Sequence, residues 1–284
     1  MSDSFFESSF AKNSKFHWDF IKDFKDKNKW EILAEQYKEK NSLSNKKPAD
    51  QIPKLIHQIW IGPKPLPEKY KIWMKSWQDL NKDWDYKLWT DQNIGELNFI
   101  NKDLFHNSKN IGFKSDIARY EILNKFGGLY ADTDFECIKK VPDYFRSYEF
   151  VSCIVFDNTP VIANGLLMSK PNSFLLSEII NNVSLQKNDN SAMETLKCSG
   201  ALLITKIYFS LNAEDRNRNL ILPSNYFYPL PNFPIDKRTN VNKFINKETI
   251  GIHYWEVSWM KKNVIIRIIK RIKKILKSLF KNIF

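Results

Sequence analysis

The chain has 284 residues, of which 43% are hydrophobic and 14% aromatic, so it can bury a sizeable folded core. Its three cysteines are odd in number and lack the short paired spacing of a disulfide framework or a zinc site. The formal net charge is +12, but nine basic side chains lie in residues 261–284, which contain no acid. The rest of the chain shows no basic groove with interleaved aromatics, so we predict no nucleic-acid partner.

Residues 1–50 are predicted to form an N-terminal helical region. Their start has no basic region followed by an apolar core, so we expect no secretory signal. No stretch reaches about 18 uninterrupted apolar residues, so no membrane-spanning helix is expected. Two sets of apolar residues have the spacing of amphipathic helices. The first is Phe20, Ile21 and Phe24, and the second is Trp30, Leu33 and Tyr37.

A β–α–β alternation starts at residue 54. The segment KLIHQIWIG (54–62) is typical of a short buried strand, and DWDYKLWTD (83–91) of a second strand. Between them, residues 67–81 have the pattern of a helix. This alternation predicts an α/β fold with a parallel or mixed sheet flanked by helices.

The alternation continues to residue 211. Residues 112–126 place apolar side chains at helical spacing, and Gly127-Gly128 ends that helix. A strand is expected in LYADTDFECIKKV (129–141), which follows directly. We expect further strands in FVSCIVF and NGLLMSKP, and helices in NSFLLSEIINNV and SGALLITKIYFSL.

Two aspartates, Asp132 and Asp134, interrupt the apolar run 126–141. Burying an unpaired carboxylate costs several kcal/mol at least, so the pair must be compensated or lie at a strand end. Side chains two apart on a strand point to one face, where two carboxylates suit Mg²⁺ or Mn²⁺ bridging phosphate oxygens. The ion's charge would offset the carboxylates. The alternative is a solvated pair in a turn.

The flanks of this D-x-D carry a resemblance to a known family. Six segments occur in order over residues 52–259: IPKLIHQIWIG, YKLWTD, SDIARYEILNKFGGLYADTD, NGLLMSKP, SGALLIT and HYWEVSW. They resemble the glycosyltransferase family with a sugar-binding region containing the DxD motif. That family includes yeast-type initiating α-mannosyltransferases, bacterial capsular polysaccharide transferases and, more distantly, glucosylating domains of large clostridial toxins. The resemblance implies a GT-A (Rossmann-like) nucleotide-sugar-binding domain over residues 51–260.

The resemblance implies roles for residues in the central motifs. Asp132 would contact the nucleotide ribose and the donor sugar, and Asp134 would be the direct metal ligand. Asp116 and Arg119, three apart on a helix, would hold donor-sugar hydroxyls and the bond being broken. The alternative for this pair is an ordinary surface ion pair. Trp60 would stack on the nucleobase, the alternative being a core tryptophan.

In the later motifs the resemblance implies a residue at the donor–acceptor junction and a segment that closes over the diphosphate. Asn164 would line the donor–acceptor junction, and its alternative is an Asn in a strand-end turn. His253 would be a metal or phosphate ligand, and Ser258 and Trp259 would contact the diphosphate. The third metal ligand stays open between His253, Glu256 and Ser258.

The implied reaction is transfer of a hexose from a nucleotide diphosphate sugar with retention of configuration. The metal and Arg119 would stabilise charge on the departing phosphate. No residue is an obvious covalent nucleophile, which favours attack by the acceptor on the same face. A UDP-sugar is the favoured donor, and GDP-mannose is the next to consider because part of the family uses it.

Residues 261–284 have the pattern of an interfacial amphipathic helix. On a helical wheel of residues 263–284 the cations fall opposite an apolar stripe, and only Ile266 and Phe284 violate the partition. These cations are Arg267, Lys270, Arg271, Lys273, Lys274, Lys277 and Lys281. The apolar stripe consists of Ile265, Ile268, Ile269, Ile272, Ile275, Leu276, Leu279, Phe280 and Ile283. Each cation contributes about 1 kcal/mol near an anionic membrane. The alternative is a C-terminal helix docked on the domain.

These patterns predict an enzyme bound peripherally to the cytoplasmic face of the cell membrane. Its acceptor would be a surface glycan or a lipid-linked oligosaccharide, as in bacterial capsular polysaccharide or lipopolysaccharide synthesis. The bacterial origin is a guess from the Lys-, Asn- and Ile-rich composition. A competing hypothesis is a membrane-binding protein whose tail is the main function. A toxin-like transferase is less favoured, since no delivery region is present.

Overall fold

The computed structural model describes residues 24–41, 51–156, 159–185, 191–230 and 240–256. The predicted tail, 261–284, lies outside the described residues, as do Phe20, Ile21, Ser258 and Trp259. Within the described ranges, no helix has the length and apolar character needed to cross a bilayer. All three cysteines are free.

The described residues alternate between helices and strands. The helices are α1 (Phe24–Asn41), α2 (Glu68–Leu80), α3 (Lys102–Asn107), α4 (Ile111–Phe126), α5 (Phe174–Asn181), α6 (Ala192–Cys198), α7 (Ala201–Ser210) and α8 (Ala213–Asn217). The strands are β1 (Leu55–Trp60), β2 (Asp85–Thr90), β3 (Gly128–Ala131), β4 (Phe135–Cys137), β5 (Phe150–Phe156), β6 (Thr159–Ile162), β7 (Leu166–Ser169), β8 (Asn219–Leu222) and β9 (Gly251–His253).

The strands form one mixed sheet and a separate two-stranded ribbon. The sheet has the order β2-β1-β3-β7-β5-β6, with β8 parallel to β5. Strand β1 is parallel to β2 and β3, whereas β7 is antiparallel to β3 and β5. The ribbon pairs β4 with β9 in antiparallel register. The predicted α/β fold with a mixed sheet is confirmed.

Burial in the core accounts for the positions of strand β3 and helix α4. All four residues of β3 are buried, as expected for a central strand covered on both faces. Helix α4 is buried along most of its length and is capped at its start by Asn110, whose side chain accepts a hydrogen bond from the Phe113 amide. Strands β1 and β3 are parallel, so their carboxyl ends reach the same edge of the sheet, beside the start of α4. That edge is where α/β sheets form binding crevices.

The turn between α4 and β3 requires glycine. Gly127 and Gly128 have φ angles of 64° and 102°, which side-chain-bearing residues rarely adopt. A Cβ on Gly128 would lie 2.2 Å from the Leu55 carbonyl oxygen. The fully buried His57 fixes this turn, because Trp89 donates to its Nδ1 and its Nε2 donates to the Gly127 carbonyl. Burial lowers the pKa of His57 to about 4, so the ring is a neutral core histidine.

The single strand predicted over residues 129–141 is wrong. Strand β3 ends at Ala131, residues 132–134 turn, and β4 begins at Phe135, whose amide donates to the Asp132 carbonyl. The turn lets the chain leave the sheet and pair with β9 instead. The two aspartates therefore lie in the turn, and strand alternation does not align them.

Helix α1 packs on the same core as the sheet. Trp30, Leu33 and Tyr37 are buried, as their helical spacing predicted. The Tyr37 and Tyr226 hydroxyls are hydrogen-bonded at 3.0 Å. The division of the chain at residues 50 and 260 stays a prediction.

Candidate active site

One cavity of about 420 Å³ opens at the carboxyl ends of β1 and β3. Its walls also include the first half of α4, part of α6, and the chain around β9. A volume of this size is typical of small-ligand sites. The structure brings every described candidate site residue into its lining: Trp60, Asp116, Arg119, Asp132, Asp134, Asn164 and His253.

Three potential metal ligands converge in this cavity. Asp132, Asp134 and His253 each offer an atom within 4.8 Å of the others. Strand pairing causes this, because Phe135 of β4 is opposite His253 of β9. His253 Nε2 lies 3.3 Å from Asp134 Oδ1, and the Glu256 amide donates to Asp134 Oδ2 at 2.8 Å. Burial alone would raise the pKa of Asp134, but His253 and the Glu256 amide lower it.

The donor set fits a hard divalent cation such as Mn²⁺ or Mg²⁺, which prefers carboxylate oxygens and accepts imidazole nitrogen. The sequence left three candidates for the third metal ligand. One of them, His253, lies in the cluster with the two aspartates. The Glu256 carboxylate instead pairs with Lys69 at 2.5 Å. Ser258 lies outside the described residues.

Arg119 is the centre of a buried polar network, so the surface ion-pair alternative does not fit. Its Nη2 lies 3.2 Å from Asp116 Oδ1 and 3.3 Å from Asp132 Oδ1, and its side chain is 6% exposed. Nη1 donates to the Asn164 carbonyl at 2.6 Å, while Nε and Nη2 donate to Ser115. Burial opposes the charged form, but Asp132 and the other neighbours raise the pKa of Arg119 above its usual range. Its donors are thus directed at protein atoms, and it holds the two carboxylates in place.

Asp116 has a hydrogen-bond donor on each oxygen. Asn164 Nδ2 donates to Oδ1 at 2.8 Å, and Ser199 Oγ donates to Oδ2 at 2.7 Å. Burial raises the pKa of Asp116 to about 6 against the opposing effect of Arg119. Sequence reasoning missed Ser199, although it begins the quoted SGALLIT segment.

Tyr130 was also missed. Its hydroxyl donates to Asp132 Oδ1 at 2.5 Å, and its ring lies under the Arg119 guanidinium, 4.7 Å from centroid to Cζ. Burial raises the pKa of Asp132, although Arg119 opposes the shift. The signal that could have found Tyr130 is the period of two, because it precedes Asp132 by two residues at the end of β3.

Trp60 is half-buried at the cavity rim. It ends β1, donates from Nε1 to the Lys64 carbonyl, and contacts Tyr70 edge-to-face with centroids 5.6 Å apart. Core tryptophans of this chain, such as Trp77, are almost fully buried. Trp60 therefore has the exposure that base stacking needs, and its role stays a prediction.

Trp255 is a further lining residue, which the sequence analysis gave no role although it lies in the quoted HYWEVSW segment. It has a φ of 57°, uncommon for a bulky residue, and packs against His253 and Tyr228. Its Nε1 donates to the Leu230 carbonyl at 3.0 Å. Ser258 and Trp259, the predicted diphosphate contacts, come three and four residues later in the sequence and are outside the described residues.

Residues 67–151 match the protein family described as "Glycosyltransferase sugar-binding region containing DXD motif". The match includes four charged residues of the cavity lining, Asp116, Arg119, Asp132 and Asp134. This part of the chain is therefore similar to the DXD-containing region of that glycosyltransferase family.

Two curated relatives and one solved structure extend the comparison. An uncharacterized glycosyltransferase of Acanthamoeba polyphaga mimivirus is 31% identical over 154 residues, covering 49% of this chain and 59% of that protein. Inositol phosphoceramide mannosyltransferase 3 of Schizosaccharomyces pombe is 39% identical over 90 residues, covering 30% of this chain and 25% of that protein. The chain thus spans less than two thirds of the length of either relative.

The solved structure is the catalytic domain of α-toxin from Clostridium novyi. It superposes with a TM-score of 0.51 and 10% sequence identity, covering 96% of this chain and 92% of that chain. At this identity the likeness shows the fold alone, which is a GT-A-like mixed α/β fold.

Proposed function

We propose that this chain transfers a hexose from a nucleoside diphosphate sugar to an acceptor hydroxyl in a metal-dependent reaction. The observation that carries the proposal is the convergence of Asp132, Asp134 and His253 within 4.8 Å in a cavity that also contains Arg119. Two carboxylates and an imidazole suit a divalent cation, and a diphosphate needs such a counter-charge.

Each side chain has a role that follows from its contacts. Asp134 and His253 would hold Mn²⁺ or Mg²⁺, which when bound offsets charge on the diphosphate leaving group. Asp116 and Asn164, already hydrogen-bonded to each other, would bind donor-sugar hydroxyls at the reacting bond. Arg119 keeps Asp116 and Asp132 ionised and oriented. Retention of configuration by same-face attack remains part of the proposal.

The donor and acceptor are proposed from the relatives. The sequence alone favoured a UDP-sugar, but several relatives are named as mannosyltransferases, among them those of inositol phosphoceramide. We therefore place GDP-mannose first and keep a UDP-sugar as the alternative. By the same comparison the acceptor is a membrane lipid that carries a polar head group. The bacterial capsular setting stays a prediction, and the two relatives described above come from a virus and a yeast.

Isothermal titration of the purified chain with GDP and with UDP, each with Mn²⁺ and then with EDTA, tests the function. We expect micromolar binding of GDP that requires the metal, because the cation links the diphosphate to Asp134 and His253. Metal-dependent binding of UDP instead would keep the transferase and change the donor. If neither nucleotide binds with metal present, the transferase proposal fails.

We also propose that residues 261–284 bind an anionic membrane surface, on the sequence pattern described above. Changing Lys270, Arg271, Lys273 and Lys274 to glutamine should weaken co-sedimentation with phosphatidylglycerol vesicles at least about tenfold. Nucleotide binding should be unchanged, because the site residues are untouched. Neutral phosphatidylcholine vesicles provide the control. A variant that loses nucleotide binding as well would favour the hypothesis that the tail is the main functional element.

A further inference from the structure

The two oxygens of Asp132 have unequal surroundings. Oδ1 accepts a hydrogen bond from Tyr130 and faces Arg119. Oδ2 has no hydrogen-bond partner within the described ranges and points at Gly165, where an added Cβ would lie only 2.6 Å away. The backbone fixes this approach, because the Asp132 amide donates to the Gly165 carbonyl at 2.8 Å.

The hydroxyl of Tyr228 approaches the same point. It would lie 2.8 Å from a Cβ on Gly165, and it makes no hydrogen bond to any part of the chain that the structure describes. A phenol keeps its proton near neutral pH, and an ionised carboxylate has no proton to give, so between these two groups only the phenol can donate. An unpaired donor and an unpaired acceptor therefore both lie within 2.8 Å of the point that a Cβ at residue 165 would occupy, a space that glycine leaves open.

Tyr228 is held firmly by the rest of the site. Its ring contacts Phe135, His253 and Trp255, with centroids 5.2, 4.9 and 5.5 Å away. Its amide donates to the Ser224 carbonyl at 2.7 Å, and the preceding carbonyl, that of Phe227, accepts from the His253 amide. The segment that carries Tyr228 thus also positions a member of the metal-ligand cluster.

We propose that Tyr228 is a positioning residue for Asp132. When Asp132 engages the metal and the donor, the phenol donates a hydrogen bond to Oδ2, and the carboxylate is held between Tyr130 and Tyr228. Hydrogen bonds of this kind are often long in the unliganded protein and shorten in the complex. Partners that orient a metal ligand commonly change metal affinity by about 10- to 100-fold. The inference rests on the proposed function, since it assumes that Asp132 serves a metal site.

The test measures Mn²⁺ affinity by electron paramagnetic resonance, in the presence of nucleotide, for wild type and Tyr228→Phe. We expect about tenfold weaker Mn²⁺ binding, a changed spectrum of the bound ion and an unchanged melting temperature, because only a hydroxyl is removed. Gly165→Ala is the second variant, since its methyl group would separate Oδ2 from the phenol. Tyr226→Phe is the matched control, because its hydroxyl lies in the same segment but pairs with Tyr37.

The outcomes separate the inference from the function. Wild type that binds no Mn²⁺ would remove the proposed function and this inference with it. Wild-type-like affinity in Tyr228→Phe, with normal binding by the wild type, would overturn the inference alone. An equal loss in Tyr226→Phe would also overturn it, because the effect would then come from the segment and not from the phenol at Asp132.

Discussion

Asp134→Asn should lower kcat/KM of the metal-dependent reaction at least about 1,000-fold, since the bound cation is worth several kcal/mol of transition-state stabilisation. The amide side chain can still accept from the Glu256 amide, so the turn keeps its shape while the charge is lost. Steady-state kinetics over a range of Mn²⁺ concentrations, with the donor identified by titration, would measure the effect.

Glu136→Gln is the control for Asp134→Asn. Glu136 lies two residues further on, in β4, and its carboxylate accepts from the Tyr254 hydroxyl outside the ligand cluster. This variant should keep near-normal kcat/KM. Activity in Asp134→Asn within tenfold of wild type at saturating Mn²⁺ would contradict the assignment of Asp134 as a ligand.

Arg119→Met should destabilise the fold by about 3–5 kcal/mol, the usual cost of removing one partner from a buried ion pair. The change leaves Asp116 and Asp132 without their shared cation and removes the donor to the Asn164 carbonyl. Urea unfolding followed by circular dichroism would measure the free energy of unfolding.

A double variant tests whether the cost comes from the uncompensated charge. Arg119→Met combined with Asp116→Asn should be less destabilised than the sum of the two single changes, because one of the two stranded carboxylates is gone. Arg218→Met is the exposed control, since its pair with Glu214 lies at the surface and should contribute little to the free energy of unfolding. A loss below about 1 kcal/mol in Arg119→Met would show that the network contributes little to stability.

Local patterns predicted the elements that surround the site well. Strand β1, helix α2 and strand β2 follow from apolar periodicity, and Gly127-Gly128 correctly marked the end of α4. Strands β6, β8 and β9 were not predicted. Their sequences are short, and partners far along the chain decide their pairing, which periodicity does not record.

The candidate site was predictable through motifs and less so through geometry. The D-x-D pair could be assigned to a metal, but the turn at residues 132–134 depends on β4 leaving the sheet to meet β9. That same pairing brings His253 to the two aspartates, and no local pattern could predict that contact. The approach of Tyr228 to Asp132 depends on a missing Cβ at Gly165, which only the folded arrangement reveals.

The hydrogen bond from the Glu256 amide to Asp134 also limits the distance between the metal-ligand cluster and the basic segment, residues 261–284. It fixes the chain beside the ligand cluster five residues before Lys261, the first cation of the basic segment. Even fully extended, five residues reach at most about 18 Å. If that segment lies on a bilayer, the cluster of Asp132, Asp134 and His253 is held within about that distance of the lipid head groups. Such a tether favours acceptors whose reacting hydroxyl lies close to the membrane, and disfavours the far end of a long glycan.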